Sequence, residues 1–267
     1  MSNGEQKSNG RGAGEATGGV QSVDRAVSVL EILAREGSAG VSEVAAEIGV
    51  HKSTAFRLLA ALEERDLVEQ NSERGKYQLG FGILRLASAI PGHLDMVRQA
   101  RPVVDDLAQR FDETINLAVI REHYSVHVQQ ALGSAAVASQ NWVGQLTPLH
   151  ATSSGKILLA HLDEEELEGV LAAAGLKAYT EHTITSRTTL MAQLAEARTT
   201  GFATAFEELE TGLNAAAVPV RDHTGAVIGA LSVAGPAYRF DKARIEEIAD
   251  DLKEGGARIS QRMGWLG

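Results

Sequence analysis

The chain has 267 residues, with 35 acidic and 25 basic side chains, a formal net charge of −10 and no cysteine. Without thiols there is no disulfide framework, no Cys-ligated metal site and no thiol nucleophile, and the acidic total argues against indiscriminate coating of nucleic acid or anionic membrane. Aromatic residues are only 4%, too few for a protein that works by stacking bases, while a 44% hydrophobic content suits one large globular domain or two smaller ones.

Residues 1–19 are mostly Gly, Ser, Asn, Glu and Ala with a few basic residues. They bury too little apolar surface to offset the entropy of ordering, so the expectation is a disordered tail, with no hydrophobic stretch like that of a secretory signal. The longest apolar runs, such as 215–220, fall far short of the roughly 20 residues needed to cross a bilayer. A soluble, cytoplasmic protein without a membrane partner is expected.

From 22 to 36, Val23, Ala26, Val27, Leu30 and Leu33 recur at helical spacing, with Ser22 standing as an N-cap. A break at 37–40 leads to a short helix capped by Ser42 and ended by Gly49, a residue able to take positive φ. A third helix begins near Ser53 and runs through Phe56, Leu58, Leu59 and Leu62 to Asp66. Two short extended pieces, 67–69 and 76–79, flank a polar turn and pair as a hairpin.

Three helices with a tight Gly turn and then a hairpin are the plan of a winged helix-turn-helix, in which the third helix enters the DNA major groove. At its start stand Lys52, Ser53, Thr54 and Arg57. Arg57 suits bidentate contact to guanine, Ser53 and Thr54 reach bases or phosphate, and Lys52 pairs with phosphate. Arg74, Lys76 and Tyr77 on the wing and Arg25 on the first helix complete the candidate DNA-contacting set. Residues 20–80 hold seven basic and ten acidic side chains, so a double-stranded DNA partner requires the positive groups to cluster on one face. A winged helix used as a protein-binding adapter is the alternative.

Residues 81–90 read as a linker helix whose apolar stripe suits packing against a second subunit, and 92–267 as an α+β effector-binding and oligomerisation domain. There a helix over 94–111 carries Pro102, strands fall at 114–120, 125–132, 202–206, 215–220 and 226–233, and helices at 155–161, 163–174, 188–199 and 241–263. Ahead of an apolar helix stand Thr152, Ser153, Ser154 and Gly155. Open amides at a helix N-terminus bind anions, so a small carboxylate lodged there is one reading and simple N-capping the other. Glu207, Glu208 and Glu210 read as a solvated, loop-fixing run more readily than as catalytic carboxylates, and Leu213, Ala215 and Ser232 as lining of a pocket.

Enzyme motifs are weak. Ser153 and Lys156 match the Ser-x-x-Lys of acyl-enzyme hydrolases, but the Ser-Asp-Asn and Lys-Thr-Gly companions are absent. His123 and His127 read as a surface pair with no third ligand, and there is no Walker A or dinucleotide fingerprint. No cofactor is expected, and an enzyme acting on a small acid in the second domain is the lesser alternative.

Five segments together carry a family resemblance: Val20-Gln-Ser-Val-Asp-Arg-Ala26, Lys52-Ser-Thr-Ala-Phe-Arg-Leu-Leu59, Pro148-Leu-His-Ala-Thr-Ser-Ser-Gly-Lys156, the run 201–220 ending Ala-Val-Pro-Val, and Ala230-Leu-Ser-Val-Ala-Gly-Pro236. In this order the chain resembles the IclR family of bacterial transcriptional regulators. The resemblance implies a winged helix-turn-helix, a linker helix and a GAF-like effector domain, acting as a homodimer or dimer of dimers on operators near catabolic operons, as repressor or activator. It further implies a small organic or aromatic acid held between the loop from Thr147 to Gly155 and Ala205, Leu213, Ala215, Ser232 and Ala234. Alanines at 205, 215 and 234 depart from the polar or sulfur groups that accompany the smallest keto acids, and imply a wider, more apolar pocket.

Overall fold

A computed structural model describes residues 21–71, 75–87, 93–134 and 141–267. The chain divides into two compact units, 1–90 and 91–267. The tail at 1–19, Arg74 and the end of the expected linker helix lie outside the described residues.

In the first unit α1 (Gln21–Glu36), α2 (Val41–Glu47) and α3 (Lys52–Glu63) enclose a core of Val29, Leu33, Val44, Ala55, Leu59 and Leu62. Gly49, at φ 66°, makes the turn between α2 and α3 that L side chains rarely adopt. Three boundaries differ from expectation. Ser22 lies inside α1. Gly40 is the N-cap of α2, its amide satisfied by the Glu43 carboxylate at 2.7 Å, so a side chain reaching back replaces the expected Ser42 cap. α3 begins at Lys52, with His51 as its N-cap, and ends at Glu63, three residues before Asp66. The hairpin forms from β1 (Val68–Gln70) and β2 (Tyr77–Leu79), in antiparallel register Val68 to Leu79. α4 (Gly82–Ala87) follows.

The second unit is built on a six-stranded antiparallel sheet of order β5-β4-β3-β8-β7-β6, comprising β3 (Thr114–Arg121), β4 (Tyr124–Ala131), β5 (Leu146–Pro148), β6 (Ala203–Phe206), β7 (Leu213–Arg221) and β8 (Val227–Pro236). The period of two in a strand sends alternate residues to opposite faces. Ile115, Leu117, Ala216, Val218, Leu231 and Val233 meet α5 (His93–Phe111) and α9 (Lys242–Arg262). Ala203, Ala217 and Ala230 face α6 (Ser153–Ala160), α7 (Glu164–Ala174) and α8 (Arg187–Thr200). Helices thus cover both faces, and α5 runs through Pro102 as one helix. β5 has no counterpart among the expected strands, because three residues are too short to show alternation. No helix among the described residues is long and apolar enough to cross a membrane.

Candidate ligand cavity and DNA-facing helix

The exposed face of α3 carries Lys52, Ser53, Phe56 and Arg57, with Thr54 half-buried at its edge. Phe56 is 54% exposed. The sequence reading counts Phe56 within the apolar run, but the helical turn aims Ala55, Leu59 and Leu62 inward instead, and leaves an aromatic ring beside Arg57. Arg25 is half-buried on α1. Lys76 pairs with Glu43 at 3.1 Å, a partly exposed contact of little strength. Tyr77 is corrected: at 3% exposure it belongs to the core of this unit, and its backbone bonds Ala39 in both directions, so it fastens the wing to the loop before α2 and is not available to DNA.

In the second unit a cavity opens over the sheet face toward α6. Its floor is a row of cross-strand partners, since Ala205 pairs with Ala215 and Ala215 with Ala234; on the same face Ser232 pairs with Asn116. Leu209, Leu213, Trp142, His127, Glu208, Ser153 and Ser154 complete the wall. The cavity offers about 50 Å³ to the centre of a water-sized sphere, several times the roughly 10–15 Å³ that one water needs.

The first turn of α6 supplies the polar end. Thr152 is its N-cap: its hydroxyl accepts from the Gly155 amide at 3.1 Å and donates to the Pro148 carbonyl at 3.0 Å. The Lys156 amide bonds the Thr152 carbonyl. The amides of Ser153 and Ser154 precede any intrahelical partner, so the cap leaves two amides open at the same helix end. Two residues named from the sequence do not line the cavity. Thr147 is buried on β5 and donates to the Ser125 carbonyl at 3.3 Å. Gly155 faces the other way, where a Cβ would stand 2.2 Å from the Leu149 carbonyl oxygen; its hydrogen atom is what lets α6 seat against the preceding loop.

Two residues read as surface features, Glu208 and His127, are part of the buried wall. Glu208 is 5% exposed rather than solvated, because Thr183 Oγ1 donates to its backbone carbonyl at 2.6 Å and folds it inward. Its Oε1 accepts from Lys156 Nζ at 2.6 Å, and Lys156 also donates to the Thr204 carbonyl at 3.0 Å. Burial pulls Lys156 below the ordinary lysine range and pushes Glu208 above the usual carboxylate range, each opposed by the partner's charge. Glu207 does fix the loop, accepting from the Gly212 amide at 2.7 Å. His127, 7% exposed, is no surface ligand pair with His123: β4 turns it under Trp142, ring centroids 5.9 Å apart, and burial lowers its pKa to about 4. Among the described residues no group of His, Asp and Glu side chains is arranged to hold a metal ion.

A winged helix-turn-helix with a cationic recognition helix, followed by a unit with a polar-ended, apolar-floored cavity, defines a ligand-responsive DNA-binding transcriptional regulator. The chain belongs to the IclR family: the IclR helix-turn-helix domain matches residues 22–72 and the bacterial transcriptional regulator IclR C-terminal domain matches 89–261. It is 31% identical to the HTH-type transcriptional regulator XynR of Escherichia coli K12, over 92% of this chain and 98% of that protein. The crystal structure of the Thermotoga maritima IclR superposes with a TM-score of 0.76 at 29% identity, over 92% of this chain and all of that one. An IclR homologue of Microbacterium hydrocarbonoxydans, complexed with 4-hydroxybenzoate, does so with a TM-score of 0.70 at 28% identity, over 91% and 98% of the two chains.

Proposed function

We propose that this regulator reads a double-stranded operator beside a catabolic operon with α3, in the cytoplasm, and senses a small aromatic monocarboxylic acid in the cavity of its second unit. The observation that carries the effector half is the meeting of two open helix-end amides, on Ser153 and Ser154, with the floor of Ala205, Ala215 and Ala234. The amides and the helix dipole attract a carboxylate; the alanines, Leu213 and Trp142 receive an apolar ring, and Ser232 adds a hydroxyl. The 4-hydroxybenzoate held by the Microbacterium protein is a ligand of that class.

Binding without turnover fits the same geometry. Lys156 spends its ammonium on Glu208 and Thr204, so it is not placed as the base that a Ser153 nucleophile would need. On α3, Arg57, Ser53 and Thr54 act as base-reading groups, with Lys52, Arg25 and Lys76 on phosphates. Exposed Phe81, Leu84 and Leu86 around α4 support a homodimer, or a dimer of dimers, presenting two recognition helices to two half-sites.

The test is binding of the purified protein to the promoter region beside its own gene and to scrambled DNA, across a salt series, with and without aromatic and aliphatic acids. Specific binding that shifts with one acid supports the reading; no preference for that region at any salt returns the winged helix to a protein-binding role. Arg57→Ala is expected to weaken operator binding by about 1–3 kcal/mol while leaving acid affinity unchanged. Equal losses on operator and random DNA would reduce Arg57 to a phosphate contact.

A further inference from the structure

Building on the acid-sensing reading, we propose that Glu208 sets the specificity of the cavity by admitting acids that also carry a hydrogen-bond donor, a hydroxyl or an N–H, and by refusing dicarboxylates. The carboxylate is only half used. Oε1 is committed to Lys156 at 2.6 Å, whereas Oε2 is buried without a hydrogen-bond partner among the described residues, on a side chain that lines the cavity. Nor does the residue swing free, because the Thr183 hydroxyl donates to its backbone carbonyl at 2.6 Å and the Thr180 hydroxyl to that of Glu207, also at 2.6 Å.

A carboxylate oxygen only accepts. The Oδ1 of Asn116, 3% exposed and on the same wall, is also buried without a partner, so the residues of the wall hold two acceptors that no described residue meets. A ligand that ends in carbon there leaves both unmet, and a site built to bond a hydroxyl discriminates strongly against the analogue that lacks it. Charge argues in the same direction. Lys156 balances Glu208 and the first turn of α6 attracts a single anion; a second carboxylate would meet the Oε2 oxygen with like charge and no cation left to answer it.

Isothermal titration of the full chain with matched acids tests this: the 2-, 3- and 4-hydroxybenzoates against their methoxy counterparts, glycolate against methoxyacetate, and terephthalate as the dicarboxylate. At least one hydroxy acid is expected to bind about tenfold or more tightly than its methoxy partner, with terephthalate weaker than either. In Glu208→Gln one amide oxygen keeps Lys156 and the amide NH2 turns to the cavity, so the hydroxy-over-methoxy ratio should collapse or invert and terephthalate should gain. Acids that bind with no difference within any pair overturn this inference alone, as does an unchanged ratio in the folded variant. Failure of every acid to bind overturns it together with the acid-sensing reading. The wild-type pairs decide the matter even if Glu208→Gln does not fold.

Discussion

At the scale of single residues, burial of His127 ties stability to pH. Its pKa falls from 6.5 to about 4 in the folded chain because the cavity wall disfavours the imidazolium. The unfolded chain therefore binds the extra proton between those values, so the stabilisation is complete above 6.5 and drains away as pH drops toward 4. Urea unfolding should show a loss of about 2 kcal/mol on going from pH 7.5 to pH 5, and His127→Gln should lack that part of it; identical acid limbs in the two proteins would remove His127 as the cause. His127 and Glu208 were misplaced by sequence because burial leaves no local mark. A histidine in an alternating strand and a glutamate in an acidic run look solvated until the hydroxyls of Thr180 and Thr183, 25 residues or more away, draw the loop inward.

Elements behave differently. The apolar spacing of α1 and α3, the Gly49 turn and the paired strands are local signals, and each was legible to within a few residues. The inventory of the α6 loop was legible too, but not which of its residues face the cavity, since that depends on how closely the helix approaches Leu149. Gly155→Ala tests that approach. Despite alanine's better helix propensity, the 2.2 Å clash with the Leu149 carbonyl should cost about 1–3 kcal/mol of unfolding free energy, read from denaturant melts, and weaken acid binding as α6 shifts. A stability equal to wild type would mean that the loop yields freely. On α3, the exposed Phe56 ring is expected to meet thymine methyl groups if that helix enters the major groove. Phe56→Ala should leave the unfolding free energy within the small range of surface changes, about 0.5 kcal/mol, yet reduce operator affinity. Unchanged affinity would make the ring a bystander.

For the whole molecule, the order of a helix-turn-helix unit before an α+β unit was visible in the order of the motifs. The sheet order β5-β4-β3-β8-β7-β6 was not, because antiparallel neighbours distant in the chain leave no periodic trace. Linkage makes a demand on the intact protein. If an acid changes operator affinity by the roughly 5- to 150-fold that about 1–3 kcal/mol of coupling supplies, operator DNA must change acid affinity by the same factor. Titrating the acid with and without saturating operator measures this, and an acid affinity indifferent to DNA would show that the two units work independently.

The alanine row beneath the cavity has an evolutionary consequence. Ala205, Ala215 and Ala234 sit on three adjacent strands facing the cavity, while their neighbours Ala216 and Val233 point into the opposite core. Replacing one rung by a larger, sulfur-bearing or hydroxylated side chain alters the room left for a ligand without disturbing the packing that holds the sheet to α5 and α9. Ligand preference on this scaffold is therefore free to drift one substitution at a time among lineages that keep the same fold, and a descendant could acquire a new effector while its helix-turn-helix stays unchanged.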